Sequence, residues 1–219
     1  QSGIPMARIE FVDAASAAAF NAQEQAGWAD APHLMVEFHG SEAGVAEQAA
    51  RFGEIARDFG AADFRWATLA EDRNKLWAMR HNSYRATLAA NPGCAPITTD
   101  ICVPISRLAE AVEETAADIA ESGIPGPIVG HVGDGNFHAL LLPKAGDAAE
   151  WERAQKLASR MAERALRLGG TVSGEHGIGL GKTKYMAAEH GEGWQVMAAL
   201  KAALDPGNVM NPGKMLPGN

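Results

Sequence analysis

The 219-residue chain is 47% hydrophobic and 21% charged, enough apolar material for the core of one large domain, or of one domain with a small appendage. A formal net charge of −8 argues against a polyanion such as DNA as the main partner, but not against a small anionic substrate that one local cation can hold. Cys94 and Cys102 make no disulfide framework and read as reduced thiols, and no apolar run approaches membrane-spanning length.

The opening "QSGIPMARIEFVD" has no initiator methionine and enters a strand almost at once, which is expected of a chain cut from a longer protein. "ARIEFV" reads as that strand, and Asp13 then caps an alanine-rich helix ending near Gly27. "HLMVEFHG" is a second strand. Ser41 caps a helix whose Val45, Ala49, Phe52, Ile55 and Phe59 fall at helical spacing, with Gly60 as its stop. "ADFRWATL" is strand-like, and Asp72 to about Ala89 reads as helix. "APITTDICVP" is a further strand, and Ser106 opens a helix that stops at Gly123. "GPIVGHV" and "NFHALLLP" are strands flanking Gly133-Asp134-Gly135. Asp147 and Glu150 form a capping-box pair for a helix running to Gly169-Gly170. The rest is glycine-rich and irregular, apart from a short helix around "WQVMAALKAAL".

Alternating strands and helices permit a parallel, doubly wound sheet. The short connection between 126 and 143 instead demands an antiparallel pair, and no strand leads into a phosphate-binding glycine loop. The expected fold is therefore α+β, a ferredoxin-like, mainly antiparallel sheet with helices on one face and a small C-terminal helical segment. Residues 1–170 would form the α+β domain, and 171–219 a glycine-rich loop with that segment.

His131 and His138 face each other across the connection if Gly133 to Asn136 forms its turn, with Cβ atoms about 5 Å apart, a spacing that suits a shared metal. On spacing alone, two satisfied strand-end histidines explain the pair better. A third ligand changes that balance, and "TVSGEHGIGLGKTKY" offers Glu175 between glycines that let a backbone pass close to a ligand. Two imidazoles and a carboxylate leave open positions on a divalent ion, the pattern of catalytic sites. His176 would then stand beside the metal, free to take a proton. "GLGKT" is no P-loop, because His176 occupies the place of its first glycine, and Lys182 breaks the dinucleotide fingerprint.

"GHVGDGNFH", "SGEHGIGLGK" and "LDPGNVMNPGKML", in that order, resemble the C-terminal substrate (cap) domain of FAD-linked oxidases of the vanillyl-alcohol oxidase superfamily. "RHNSYRATLAANPGC" and "TTDICVPISRL" are most similar to the cytochrome-type D-lactate dehydrogenases, with the glycolate oxidase flavin subunit and D-2-hydroxyglutarate dehydrogenase as relatives. The resemblance implies oxidation of a D-2-hydroxy acid, D-lactate first, with glycolate or D-2-hydroxyglutarate as alternatives. It implies Arg80 on the substrate carboxylate, with Tyr84, Thr98 and Asn136 nearby, and His131, His138 and Glu175 on a zinc or manganese ion. His176 would take the hydroxyl proton as hydride leaves for the flavin, and Asn211 and Lys214 would approach the flavin from the tail.

FAD would be held mainly by an upstream domain that nothing in these residues replaces, so the chain alone is expected to be inactive. A cytochrome c or quinone-linked protein would accept the electrons, and a homodimer is the candidate assembly. The implied location is mitochondrial in a eukaryote, or cytoplasmic or peripheral at the inner membrane in a bacterium. Two other classes fit the residues less well: a self-sufficient metallohydrolase using the same His, His and Glu, and a non-catalytic interaction domain.

Overall fold

The computed structural model describes residues 3–24, 27–62 and 64–214. Its strands are β1 (Arg8–Val12), β2 (His33–Glu37), β3 (Ile97–Thr98), β4 (Ile101–Cys102), β5 (Ile128–Gly130) and β6 (Asn136–Leu141). Its helices are α1 (Ala14–Glu24), α2 (Glu42–Asp58), α3 (Ala70–His81), α4 (Ser83–Ala90), α5 (Leu108–Ser122), α6 (Ala148–Arg167), α7 (Met186–His190) and α8 (Gly193–Leu204). The chain divides into two compact units. One is Gln1–Cys94 with Pro127–Gly133, and the other is Ala95–Gly126 with Asp134–Asn219.

In the first unit β1 lies between β2 and β5, antiparallel to both, with Phe11 opposite Leu34 on one side and Gly130 on the other. Asp13 ends β1 and begins α1: its Oδ1 accepts from Ser16 N at 2.8 Å and its Oδ2 from Ile128 N at 2.9 Å. Burial raises the pKa of this carboxyl by more than those hydrogen bonds lower it. Val12, Ala17, Phe20 and Ala86 form the core beneath, with Trp28 and Met35 packed against it.

In the second unit β6 is the organiser. It pairs antiparallel with β3 (Ile97 opposite Leu141) and with β4 (Ile101 opposite Phe137), and all six of its residues are buried. A strand covered on both faces cannot alternate, which explains the unbroken run around "HALLL". Helix α6 buries Ala154, Leu157, Met161 and Ala165. Its buried Arg164 reaches α5, bonding Glu114 (2.7 Å), Thr115 (2.9 Å) and Asp118.

Every strand register within either unit is antiparallel, between strands that are far apart in the chain or joined through a helix. Four local expectations are corrected. The described residues of "ADFRWATL" form no strand; Phe64 stacks on Trp66 at 5.5 Å and meets Phe52 edge-on, so alternating aromatics serve side-chain packing rather than a ladder. Asp63 lies outside the described residues, as do Gln25 and Ala26, where α1 was expected to run on. The helix expected from Asp72 to Ala89 breaks at Asn82 into α3 and α4. "APITTDICVP" is two short strands, because Thr99 and Asp100 turn inward between them. Ser106 is not a cap: it sits within a 3-10 turn, Ile105–Arg107, that precedes α5.

The caps of α2 and α6 form at Ser41 and Asp147. Glu150, however, accepts from Lys144 N rather than from the cap itself, so the capping box is only half made. Gly123, at φ 68°, closes α5.

Candidate active site

Two polar clusters collect most of the expected site residues, one in each unit. In the first, Glu10 on β1 is buried beside Val12, on the strand face turned inward. Its Oε1 lies 2.6 Å from His131 Nδ1 and its Oε2 2.8 Å from Arg80 Nη2. Arg80, in the last turn of α3, is 8% exposed and reaches Ser83 Oγ at 3.5 Å. The Arg80–Glu10 pair is close but lies outside hydrogen-bonding geometry, and among the described residues Arg80 Nε has no hydrogen-bond partner. A buried guanidinium with part of its donor fork unspent suits a further planar anion. Tyr84, one turn later on α4, is exposed.

In the second unit the hub is Asp100, whose side chain is 1% exposed. Its Oδ1 accepts from Asn136 Nδ2 (2.8 Å) and Glu175 N (3.3 Å). Its Oδ2 accepts from His176 N (2.9 Å), Ser173 Oγ (3.0 Å) and Lys182 Nζ (3.3 Å). Burial alone would raise its pKa. The His176 amide, the Asn136 side chain, the Lys182 ammonium and the Glu175 amide outweigh burial and hold the carboxyl well below the usual carboxylate range. Burial in turn lowers the pKa of Lys182 despite its attraction to Asp100.

His138, on β6, is buried. Its Nδ1 lies 3.0 Å from the Thr99 carbonyl, which can only accept, so Nδ1 carries the proton and the neutral ring presents its Nε2 lone pair outward. That Nε2 stands 3.0 Å from Glu175 Oε1. Burial lowers the pKa of this imidazole and so favours the neutral ring. The His176 ring stacks on that of His138, 4.9 Å apart and nearly parallel. The Asn136 amide also donates to Ile101 O at 2.9 Å, and its Oδ1 is buried without a hydrogen-bond partner among the described residues. Gly174 lets the loop cross this amide, because a Cβ there would collide with Asn136 Nδ2.

With His138 protonated this contact is an ion pair; with the neutral ring that burial favours, two acceptors stand 3.0 Å apart, an arrangement that a cation between them would suit. Two donors each about 2.1 Å from one ion, near a right angle apart, keep that separation. His138 and Glu175 thus fit a divalent metal, and the Thr99 carbonyl on Nδ1 is the usual outer support for a ligating imidazole. Asp100, His138 and His176 also bring ligand atoms within 4.8 Å of one another. Asp100 is the poor ligand of that trio, since both its oxygens are committed to donors.

The structure therefore gathers Asn136, His138, Glu175 and His176 around Asp100, and Arg80 with His131 around Glu10. Thr98 is exposed on β3, its neighbour Thr99 being the inward residue. Asn211 (φ 50°) and Lys214 are exposed on a turn closed by Lys214 N to Asn211 O, 3.2 Å. Sequence reasoning missed Glu10, Asp100 and Lys182. The signal was present in two of them: a charge in register with buried Val12, and an aspartate inside an apolar strand pattern.

Comparison with known proteins gives the family. A probable mitochondrial D-lactate dehydrogenase of Danio rerio is 48% identical over 99% of the chain, which covers 44% of that protein. A mitochondrial D-lactate dehydrogenase [cytochrome] of Arabidopsis thaliana is 37% identical over 99% of the chain and 38% of that protein. Glycolate oxidase subunit GlcD of Escherichia coli is 34% identical over 84% of the chain and 37% of that protein. The chain thus spans less than half the length of these relatives. Among solved structures, a 4-ethylphenol oxidase from Gulosibacter chungangensis shares the fold, with TM-score 0.70 and 13% identity over 96% of this chain and 47% of that one. The family described as FAD linked oxidases, C-terminal domain, matches residues 1–215, and the chain belongs to that family.

Proposed function

We propose that this chain is the substrate side of an FAD-dependent D-2-hydroxy-acid dehydrogenase that converts D-lactate to pyruvate. The observation that carries the reading is the His138–Glu175 pair, with Nε2 and Oε1 turned toward each other at 3.0 Å and Nδ1 anchored on Thr99. The 48% identity to a probable D-lactate dehydrogenase supports the substrate.

In this reading the unspent part of the Arg80 fork holds the substrate carboxylate. A divalent zinc or manganese ion, when bound by His138, Glu175 and the expected third ligand His131, acidifies the substrate hydroxyl. His176, stacked beside His138, receives that proton on its ring. The buried Asn136 Oδ1 offers an acceptor for orienting the hydroxy acid, while Tyr84 and Thr98 line the approach. FAD, when bound, supplies the two-electron acceptor for the α-hydrogen, and Asn211 and Lys214 flank it from the tail. A cytochrome-type acceptor and a mitochondrial location follow the relatives' names, and a ferredoxin-like topology belongs to the same reading.

The test is metal content and dye-coupled D-lactate oxidation in the full-length flavoprotein, for the wild type and His138→Ala. We expect bound metal in the wild type and loss of both metal and at least about 100-fold of activity in the variant. Full activity in a metal-free variant would overturn the metal role. Turnover of glycolate or D-2-hydroxyglutarate in place of D-lactate would reassign the substrate.

A further inference from the structure

We propose that Asp100 is a positioning residue that latches the glycine-rich loop at both ends and so aims Glu175 and His176 at His138. The loop leaves the body of the second unit at Ser173 and returns at Lys182. At its start the Ser173 hydroxyl and the amides of Glu175 and His176 all donate to the Asp100 carboxylate. At its end the Lys182 ammonium donates to the Asp100 carbonyl at 2.8 Å and to its Oδ2 at 3.3 Å. One buried residue between β3 and β4 therefore holds both ends of a segment with glycines at 174, 177, 179 and 181, which has little stiffness of its own.

The contacts are directional. Two consecutive amides pointing at one carboxylate fix the peptide planes from which the Glu175 and His176 side chains project. The Asn136 amide donates to the same carboxylate at 2.8 Å, which ties the latch to β6 two residues from His138. Thr99, the neighbour of Asp100, holds His138 Nδ1. Residues 99 and 100 thus place the histidine with a backbone carbonyl and the facing loop with a carboxylate. Asp100 touches none of the reacting atoms in the proposed reaction; it acts through Glu175 and His176.

The consequence for metal binding rests on the metal reading above, whereas the latch does not, and two readouts separate them. The first is amide hydrogen exchange at Glu175 and His176 in the metal-free chain. The second is Mn2+ and Zn2+ affinity by titration calorimetry. In Asp100→Asn the side-chain amide turns a donor toward the loop N–H groups. We expect exchange at those two amides to quicken by about tenfold or more, and metal affinity to fall about 10- to 100-fold.

Lys182→Met, at the half-buried end, frees only the return of the loop. It tests the same idea if Asp100→Asn does not fold: exchange quickens at Gly179 to Lys182, and metal binding weakens by less than about tenfold. Wild-type protection and affinity in a folded Asp100→Asn, or in Lys182→Met if Asp100→Asn does not fold, would overturn the latch. A wild type with protected Glu175 and His176 amides, lost in Asp100→Asn, but with no metal affinity would support the latch and overturn the metal reading.

Discussion

Glu10 and Asp100 are both buried carboxylates at the centre of a polar cluster, yet they are held in opposite ways. Glu10 faces two side chains, Arg80 on α3 and His131 in the turn after β5. Asp100 takes backbone amides from Glu175 and His176 as well as the side chains of Asn136, Ser173 and Lys182. Backbone donors cannot swing away without moving the chain, so Asp100 is part of the scaffold. Side-chain partners can exchange, and the imperfect geometry of Arg80 on Glu10 leaves that guanidinium able to take a second carboxylate. A fixed carboxylate aims a loop, and an exchangeable one keeps a cation desolvated and ready.

The largest effect should separate the two directly. Asp100→Ala removes the acceptor of the Glu175 and His176 amides and of the Ser173 hydroxyl, while Asn136 keeps Ile101 O and Lys182 keeps the residue-100 carbonyl, and an unmet buried donor costs about 1–3 kcal/mol. We expect a loss of about 4–5 kcal/mol in the transition of the second unit under urea. Glu10→Ala leaves Arg80 a buried charge without its partner, but a long side chain can relax toward water. We expect about 2–3 kcal/mol in the first unit. Equal losses would break the distinction between a scaffold carboxylate and an exchangeable one.

This difference also marks what could be read from the sequence. His131 and His138 suggested a shared metal only once Glu175 joined them as a third ligand, with His176 beside it as a base, and Arg80 came from the family resemblance rather than from its own setting. The α+β class followed from one short connection, between 126 and 143, and from the absence of a strand leading into a phosphate-binding glycine loop. Asp100 and Glu10 stayed hidden because each looks like an ordinary interruption of a strand pattern. Their roles depend on partners 36 to 121 residues away in the chain. "ADFRWATL" misled for a related reason: period-two aromatics signal a strand only where another strand is available to pair with it. The division into two units, crossing at 94, 126 and 133, had no compositional mark at all.

Two glycines sharpen the comparison at a smaller scale. Gly60, after α2 in the first unit, and Gly135, before β6 in the second, have nearly the same backbone, φ 80° and φ 81°. A Cβ at Gly60 meets open space, whereas one at Gly135 runs into the Val103 carbonyl oxygen. Gly60→Ala should cost only the conformational penalty, about 1 kcal/mol. Gly135→Ala adds a backbone collision that also displaces the Val103 N to Gly135 O bond of 3.0 Å, and we expect about 3 kcal/mol. Thermal unfolding of the two variants reads the difference, and equal shifts would show that the β6 entry is softer than its packing implies.

The smallest expected effect lies in the helix caps, where the same contrast between loose and locked recurs. Ser41 Oγ accepts from Gly44 N at 3.2 Å on an exposed surface. Asp147 Oδ1 accepts from Glu150 N at 2.9 Å, and Glu150 reaches back to Lys144 N at 2.8 Å, so the start of α6 is closed from both sides. The aspartate is also a charge at the positive end of a twenty-residue helix. Ser41→Ala should therefore cost about 0.5 kcal/mol and Asp147→Ala about 1–1.5 kcal/mol by urea denaturation. Because α6 carries Arg164 onto α5, fraying at Asp147 should leave the Arg164 contacts intact, nearly five turns further on. A loss well above 2 kcal/mol in Asp147→Ala would mean that the cap and the Arg164 network unfold as one unit.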